Sequence, residues 1–326
     1  MKLISIVIPC FNEEEYIEEC LDSIVNQTYL NKFIEVIVVD GISTDQSVNK
    51  INKYVKSLKN LTILYNKEKI TPISLNIGVK YASGDLIMIL SAHSYLDRNY
   101  IKNAIEILNN NDAICVGGPI YNVGKTFIGK AIALAMQSKF GVGNSTFRVS
   151  KIEQYVDTVA FGVYKREIFT KIGYFDENLV RNQDYEYNQR IVNNEYLILQ
   201  SPEIKSFYYN REELNKLFMQ YFNYGFWKVE VIKKNSKTFK MRYQIPALFI
   251  LILIILLISS IFSSNIVKYL ILFLFPYFII SFLNSLYIGF KNSFKYIFLM
   301  PIIFFILHSS FGFGIILGFI KKIFIK

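Results

Sequence analysis

The sequence predicts an α/β fold, a mostly parallel sheet with flanking helices, followed by a C-terminal transmembrane helical region. Two observations carry this. Through residues 1–227, short β-branched runs alternate with segments whose apolar residues recur at helical spacing. From Ile245 to the end there is no Asp, Glu or Arg, and the stretches 245–264, 269–290 and 296–320 carry no charge at all. At about 1.5 Å per residue, each is long enough to cross a hydrocarbon core of roughly 30 Å.

The elements follow in order. Residues 3–9 form a β-branched strand, and 13–26 a helix with Ile17, Leu21, Ile24 and Val25 at its period. Residues 33–39 are a second, buried strand; 45–58 a second helix with Val48, Ile51, Val55 and Leu58 on one face; 61–64 a third strand. Thr71-Pro72 reads as an N-cap and first helical position, with Gly84 ending that helix. Residues 86–90 are a near-continuous apolar strand, hence central and covered on both faces, and Asp97 marks the next helix start. The β-α-β-α order implies right-handed crossovers, and ligands of such sheets bind beyond the carboxyl ends of the strands. Three segments converge there: "PCFNEE" after the first strand, "VVDGISTD" at the second, and "LSAHS" at the fourth.

Net charge is +10, but its distribution excludes a nucleic-acid reading. The stretch 228–242 holds Lys228, Lys233, Lys234, Lys237, Lys240 and Arg242 against Glu230, and the last 82 residues hold six Lys and no acid. That leaves 24 basic and 25 acidic residues in 1–227, a net of −1. The excess sits beside the apolar stretches, where basic residues meet anionic membrane lipid at about 1 kcal/mol each. It places residues 1–244 on the cytosolic side, and Lys291 and Lys295 agree. Lys321, Lys322 and Lys326 do not agree with three full crossings. Either the third stretch turns back around Gly312, Gly314 and Gly318, or the tail signal is the weaker one. Residues 3–11 are too short an apolar run for a secretory signal and lead straight into Glu13, Glu14 and Glu15. Cys10, Cys20 and Cys115 lack metal spacing and read as free thiols.

Read from the residues alone, Asp40 is either a ligand-facing carboxylate or a turn residue before Gly41. The stretches 5–29, 35–48, 76–90 and 173–191, "SIVIPCFNEEEYIEECLDSIVNQTY", "EVIVVDGISTDQSV", "NIGVKYASGDLIMIL" and "GYFDENLVRNQDYEYNQRI", together resemble a family 2 glycosyltransferase of the GT-A (Rossmann-like) fold. "FGVGNSTFR" (140–148) and "VDTVAFGVYKREIFTKIGYFDE" (156–177) resemble the succinoglycan-type, ExoA-like subgroup, whose members carry C-terminal membrane spans. The resemblance implies that Pro9, Asn12, Glu13 and Asp40 hold the nucleotide's base, with Asp45 on the base or capping the second helix. It implies that "SAHS" replaces an Asp-x-Asp motif: Ser91 meets the ribose, and His93 binds a divalent cation, Mn²⁺ or Mg²⁺, that bridges the diphosphate. A neutral imidazole suits a transition metal better than Mg²⁺. A loop histidine is the alternative for His93. Asp184, after Gln183 where the family has Glu, matches the catalytic base, with helix capping as its alternative. Arg148 and Arg190 are candidates to steady the departing diphosphate. "QYFNYGFWK" (220–228) lacks the Gln-x-x-Arg-Trp of processive synthases and reads as an interfacial or core-packing aromatic helix, so one sugar is added per encounter.

The expected organisation is a cytosolic catalytic domain over 1–227, a basic juxtamembrane segment over 228–244, and a multi-pass membrane region over 245–326. The expected function is inverting transfer of one sugar from a nucleotide-sugar, a UDP-sugar, to a polyprenyl-diphosphate-linked saccharide during cell-surface polysaccharide synthesis at the cytoplasmic membrane. Other polysaccharide-assembly proteins are expected partners. A polyprenyl-phosphate sugar synthase and a non-catalytic membrane scaffold are the rivals, the second prompted by Ser91 and Gln183.

Overall fold

The computed structural model describes residues 1–143, 152–239 and 241–324. They divide into two compact units: Met1–Tyr121 with Thr146–Tyr209, and Asn122–Ser145 with Asn210–Lys326.

In the first unit, β1 (Ile4–Cys10), β2 (Ile34–Asp40), β3 (Leu61–Tyr65) and β4 (Leu86–Ile89) form a parallel half-sheet in the order β3-β2-β1-β4. It continues through β9 (Ala160–Lys165), β6 (Cys115–Gly118), β10 (Ile198–Gln200) and β8 (Gln154–Val156), with β9 antiparallel to both β4 and β6. A smaller sheet has the order β5-β11-β7, from β5 (Ser94–Leu96), β11 (Ser206–Tyr209) and β7 (Ile120–Val123). The predicted mostly parallel α/β sheet is present.

The pleat of β1 explains why both faces are covered. Ile4, Ile6 and Ile8 point to one side, onto α1 (Ile17–Val25) and α4 (Tyr100–Asn110). Val7 points to the other, onto α3 (Thr71–Tyr81) and α8 (Gln183–Asn193), where Leu75, Val79, Tyr187 and Ile191 are buried. Two short helices, α2 (Ser47–Asn52) and α7 (Glu167–Lys171), complete this unit.

Several boundaries differ from expectation for local reasons. The first helix begins at Ile17, because residues 13–16 form a turn whose Glu13 carbonyl accepts from the Tyr16 and Ile17 amides. The second is α-helical only to Asn52, then 3₁₀ from Lys53 to Lys56. Thr71 is the first residue of α3 rather than its cap, and the helix gives way at Ala82. Gly84 lies beyond it, where its amide donates to Ser5 Oγ at 2.8 Å and a Cβ would strike the Leu3–Ser5 backbone. Asp97 precedes α4: its Oδ1 accepts from the Asn99 amide at 3.0 Å, and its carbonyl from that of Tyr100 at 2.9 Å.

The second unit is helical. It comprises α5 (Phe127–Met136), α6 (Lys139–Val142), α9 (Leu214–Lys234), α10 (Met241–Phe262), α11 (Asn265–Lys291) and α12 (Tyr296–Phe324). Three stretches, Tyr243–Phe262, Asn265–Lys291 and Tyr296–Lys321, are long and apolar enough to cross a membrane. The buried side chains of α5 (Ala131, Ile132, Ala135, Met136) pack with Leu217 and Tyr221 of α9 and with Met300, Ile303 and Phe304 of α12. α9 therefore groups with the apolar helices, and this division of the chain differs from a boundary at residue 227 because aromatic and glycine packing continues along α9. The stretch 220–228 accordingly contributes to packing: Tyr221, Gly225 and Lys228 are buried.

α12 is continuous, so the third apolar stretch does not turn back at its glycines. They serve close helix approach instead. A Cβ on Gly314 would fall on the Phe222 carbonyl of α9, one on Gly312 on the Pro246 carbonyl of α10, and one on Gly225 on the Phe311 carbonyl. His308, in the middle of α12, is held by both ring nitrogens: Nδ1 with the Tyr277 hydroxyl and Nε2 with the Phe140 carbonyl, each at 2.9 Å. This satisfies an ionisable group among apolar helices and ties α6 to α11 and α12.

Substituting Gly314→Val should destabilise the detergent-solubilised protein by about 1–3 kcal/mol, because the clash is with backbone. Leu317→Ala on the exposed side of the same helix (43% exposed) should cost far less. Thermal unfolding of the two variants makes the comparison.

Candidate active site

The carboxyl ends of β1 and β2 are level, Cys10 pairing with Asp40. Two loops leave the sheet side by side, and their amides have no ladder partners left. They satisfy one another through side chains. The Asn12 amide donates to Ser43 Oγ (2.9 Å), the Thr44 amide to Asn12 Oδ1 (2.9 Å), the Glu13 amide to Ser47 Oγ (2.8 Å) and the Glu14 amide to Asp45 Oδ2 (3.1 Å). Asn12 adopts a left-handed backbone (φ 53°), a conformation its short polar side chain tolerates. Asp45 Oδ1 takes the Ser47 amide at the start of α2, so its structural work is that of a cap set one position early. Burial pushes the Asp45 carboxyl up, but the bonds from Ser47 and Glu14 outweigh it and hold it below the usual carboxylate range.

Asp40 is 1% exposed. Its Oδ1 accepts from Ser43 Oγ at 2.6 Å and its Oδ2 from the Ser43 amide at 2.9 Å, so it closes the turn, and each oxygen keeps a second lone pair. Ser43 is the residue that sequence reasoning missed. It joins Asp40 to Asn12, and the only hint was a Ser three positions after an acid in a turn. Phe11, also unassigned from sequence, is exposed beside Gly41, with Lys69 Nζ 5.1 Å from its ring centroid. Pro9, at the end of β1, is half-buried.

His93 lies between β4 and β5. Its carbonyl accepts the Tyr209 amide (3.0 Å) and Ser94 Oγ donates to the Ser91 carbonyl (2.5 Å), which fixes the loop backbone. Its ring packs edge-on against Tyr208 (4.9 Å) and Tyr16 (6.5 Å). Nδ1 is 2.8 Å from Glu13 Oε1, and Ser91 Oγ is 3.3 Å from each ring nitrogen. The structure thus brings Glu13, Ser91 and His93 together, and places the Glu13 carboxylate on the imidazole. Among the described residues no group of three or more His, Cys, Asp or Glu could hold a metal by itself. Burial pushes the thiols of Cys10, Cys20 and Cys115 up, which keeps them protonated.

Asp184 is exposed in the first turn of α8, where a negative charge suits the helix dipole. The N-cap is Asn182, in a left-handed conformation (φ 62°), and Asp184 is two positions inside the helix. One turn on, the fully buried Asn188 fixes α8 to the strand entering from Thr158: its Nδ2 donates to Thr158 Oγ1 (3.0 Å) and the Val159 carbonyl (2.9 Å), and its Oδ1 accepts from Tyr164 (3.0 Å). That strand is β9, paired to β4, and Phe161 at its start lies 6.5 Å from the Tyr208 ring that packs on His93. Asp184 and His93 are therefore carried at the same end of the sheet. The approach to α8 is pinned by buried Asn76, which donates to the Phe175 carbonyl (2.9 Å) and Glu177 (2.8 Å) and accepts from the Phe175 amide (3.0 Å).

Arg190 does not serve a diphosphate. Its guanidinium is spent on Glu186 (2.7 and 3.1 Å) and on the carbonyls of Ile172 (2.8 Å) and Tyr174 (2.6 Å), over the Tyr187 ring. Arg148 lies outside the described residues.

The model named Glycosyl transferase family 2 matches residues 5–173, more than half of the chain. The chain belongs to glycosyl transferase family 2. This family 2 glycosyltransferase is 28% identical over 328 residues to the dolichyl N-acetyl-alpha-D-glucosaminyl phosphate 3-beta-D-2,3-diacetamido-2,3-dideoxy-beta-D-glucuronosyltransferase of Methanococcus voltae, covering 98% of both chains. It is 28% identical over 244 residues to the succinoglycan biosynthesis protein ExoA of Rhizobium meliloti, covering 74% of this chain and 73% of the relative. In fold it is similar to S. aureus TarS 1–349 in complex with UDP-GlcNAc (TM-score 0.55, 21% identity, 71% of this chain and 66% of that one). It is equally similar to mannosyltransferase PcManGT of Pyrobaculum calidifontis with GDP-Man and Mn²⁺ (TM-score 0.55, 20% identity, 73% and 65%). The GT-A fold, transferase activity and use of a nucleotide-sugar follow, and a purely scaffolding role does not.

Asn76→Leu should lower the stability of this family 2 enzyme by about 2–4 kcal/mol, since three buried bonds vanish and the Phe175 groups lose their partner. Chemical denaturation of the full chain measures it. Turnover of the folded fraction should fall as well, because the approach to Asp184 loosens.

Proposed function

We propose that this protein is a membrane-anchored, inverting glycosyltransferase that moves one sugar from a UDP-sugar to a lipid-linked saccharide, with its catalytic unit in the cytosol. The observation that carries the reading is the end-to-end relationship, apolar helices included, to an enzyme named for a dolichyl-phosphate-linked acceptor and a beta linkage. The three apolar helices and the basic residues of 228–242 support a membrane-held acceptor. The acceptor sugar in that relative's name is carried on dolichyl phosphate, so the lipid carrier here is a polyprenyl phosphate or diphosphate.

The mechanism assigns roles at the strand ends. The second lone pairs of Asp40 accept the uracil N–H, Phe11 offers its ring to the base, and Pro9 and Asn12 shape the same mouth. Ser91 Oγ meets a ribose hydroxyl. The residues present fit a divalent cation: with Nδ1 engaged by Glu13, His93 would hold it through Nε2. When bound, such a cation, Mn²⁺ or Mg²⁺, would supply positive charge beside the departing diphosphate. Asp184, open to solvent at its helix start, takes the proton of the acceptor hydroxyl as that oxygen attacks the anomeric carbon. Attack opposite the leaving group turns an α-linked donor into a β-glycoside.

Asp184→Asn should reduce kcat by about 10²–10⁴-fold while leaving UDP affinity within a factor of two. Full activity in this variant, assayed with the donor that supports wild-type turnover, would remove Asp184 from the mechanism. Turnover of a lipid-linked saccharide should exceed that of the same saccharide without its lipid by at least about tenfold. Equal rates in a side-by-side assay would argue for a soluble acceptor, and a sugar-phosphate ester as product would make the enzyme a lipid-phosphate sugar synthase.

A further inference from the structure

We infer that Glu13 is the positioning residue of the cation site: it sets the imidazole of His93 in the one tautomer that presents Nε2 as a donor. The inference rests on the reading of His93 as the cation's protein ligand, and it gives Glu13 a task other than holding the base.

The geometry carries it as follows. Glu13 Oε1 and His93 Nδ1 are 2.8 Å apart, and the two side chains are 20% and 21% exposed. An ionised carboxylate has no proton to give, so the bond puts hydrogen on Nδ1 and the lone pair on Nε2. This is the pattern by which an outer carboxylate orients a metal-binding histidine and raises its basicity. Both partners are held from behind. Glu13 has its amide on Ser47 Oγ and its carbonyl under the Tyr16 and Ile17 amides at the head of α1. The His93 ring is gripped by Tyr208 and Tyr16, and its carbonyl is fixed by Tyr209. The two loops come from different strands, β1 and β4, and the carboxylate–imidazole bond joins them.

A consequence for selectivity follows. A nitrogen donor favours Mn²⁺ and later first-row ions over Mg²⁺, which prefers oxygen. No carboxylate at position 91 offsets this, because Ser91 stands there.

The test uses full-length protein in detergent with saturating UDP. Mn²⁺ is titrated at constant pH and the free ion read by electron paramagnetic resonance. Glu13→Ala should weaken Mn²⁺ by about 10–100-fold. It should leave UDP affinity in the absence of metal within about twofold and narrow the preference for Mn²⁺ over Mg²⁺. Glu13→Gln, whose amide oxygen still accepts from Nδ1, should recover most of the loss. The chain has two histidines, so ¹⁵N-histidine spectra of metal-free wild type report the tautomer directly, with His93→Ala identifying the signal. The Nδ1–H form is expected, and it should be lost in Glu13→Ala. Wild-type affinity in Glu13→Ala, or an Nε2–H tautomer in wild type, would overturn the inference and leave the cation reading standing. Wild type that binds no Mn²⁺ with UDP present would overturn the cation reading itself, and this inference with it.

Discussion

The structure of the site depends on how two neighbouring loops satisfy each other's backbone. Strands β1 and β2 stop level with one another, and several amides just past their ends lack ladder partners. Asn12, Ser43, Asp45 and Ser47 answer this with a run of side-chain to backbone bonds across the gap. Once that seam is closed, the position of Glu13 is no longer free, and through Glu13 the imidazole of His93 is oriented. A substitution in the seam would therefore reach His93 without touching it.

The other half of the site is built on amides buried in the sheet's flank. Asn188 and Asn76 each make three bonds, and together they fix a helix that begins in a loop and carries an exposed acid. These two buried amides are well used, and the acid at the helix start that faces water is the one assigned to chemistry. The same economy explains Arg190, a cation that sequence reasoning offered to the diphosphate and that folding consumes on Glu186 and two carbonyls.

Much of the fold was legible because it is written in periodicity. The runs at β1 and β2 are β-branched, that at β4 is continuously apolar, all three are covered on both faces, and the spacing of Ile17, Leu21 and Ile24 allows one helix face. Helix ends were less legible, since Thr71 and Gly84 are good cap residues that the tertiary structure uses otherwise. The three-residue β5 was invisible: Ser94–Leu96 owes its strand to pairing with β11, more than a hundred residues later. The glycines of α12 read equally as a bend or as a packing seam, and only the neighbouring helix decides between them. At the site, the strand ends pointed to Asp40 and to the segment around His93, while the roles of His93 and Asp184 came from the resemblance to family 2. Neither revealed the Glu13–His93 contact or Ser43, because these depend on which loops meet.

The second unit takes in a segment, α5 with α6, that the chain passes through before it has completed the sheet. Its buried residues Ala131, Ile132 and Met136 find their partners on α9 and α12. On a ribosome that segment emerges early and waits for nearly all the rest of the polypeptide, carrying exposed apolar surface meanwhile. Maturation of the transferase is thus tied to arrival of α12. A chain shortened to residue 227 would lose more than its apolar helices, since α5 would keep Leu217 and Tyr221 but lose its cover from Met300, Ile303 and Phe304.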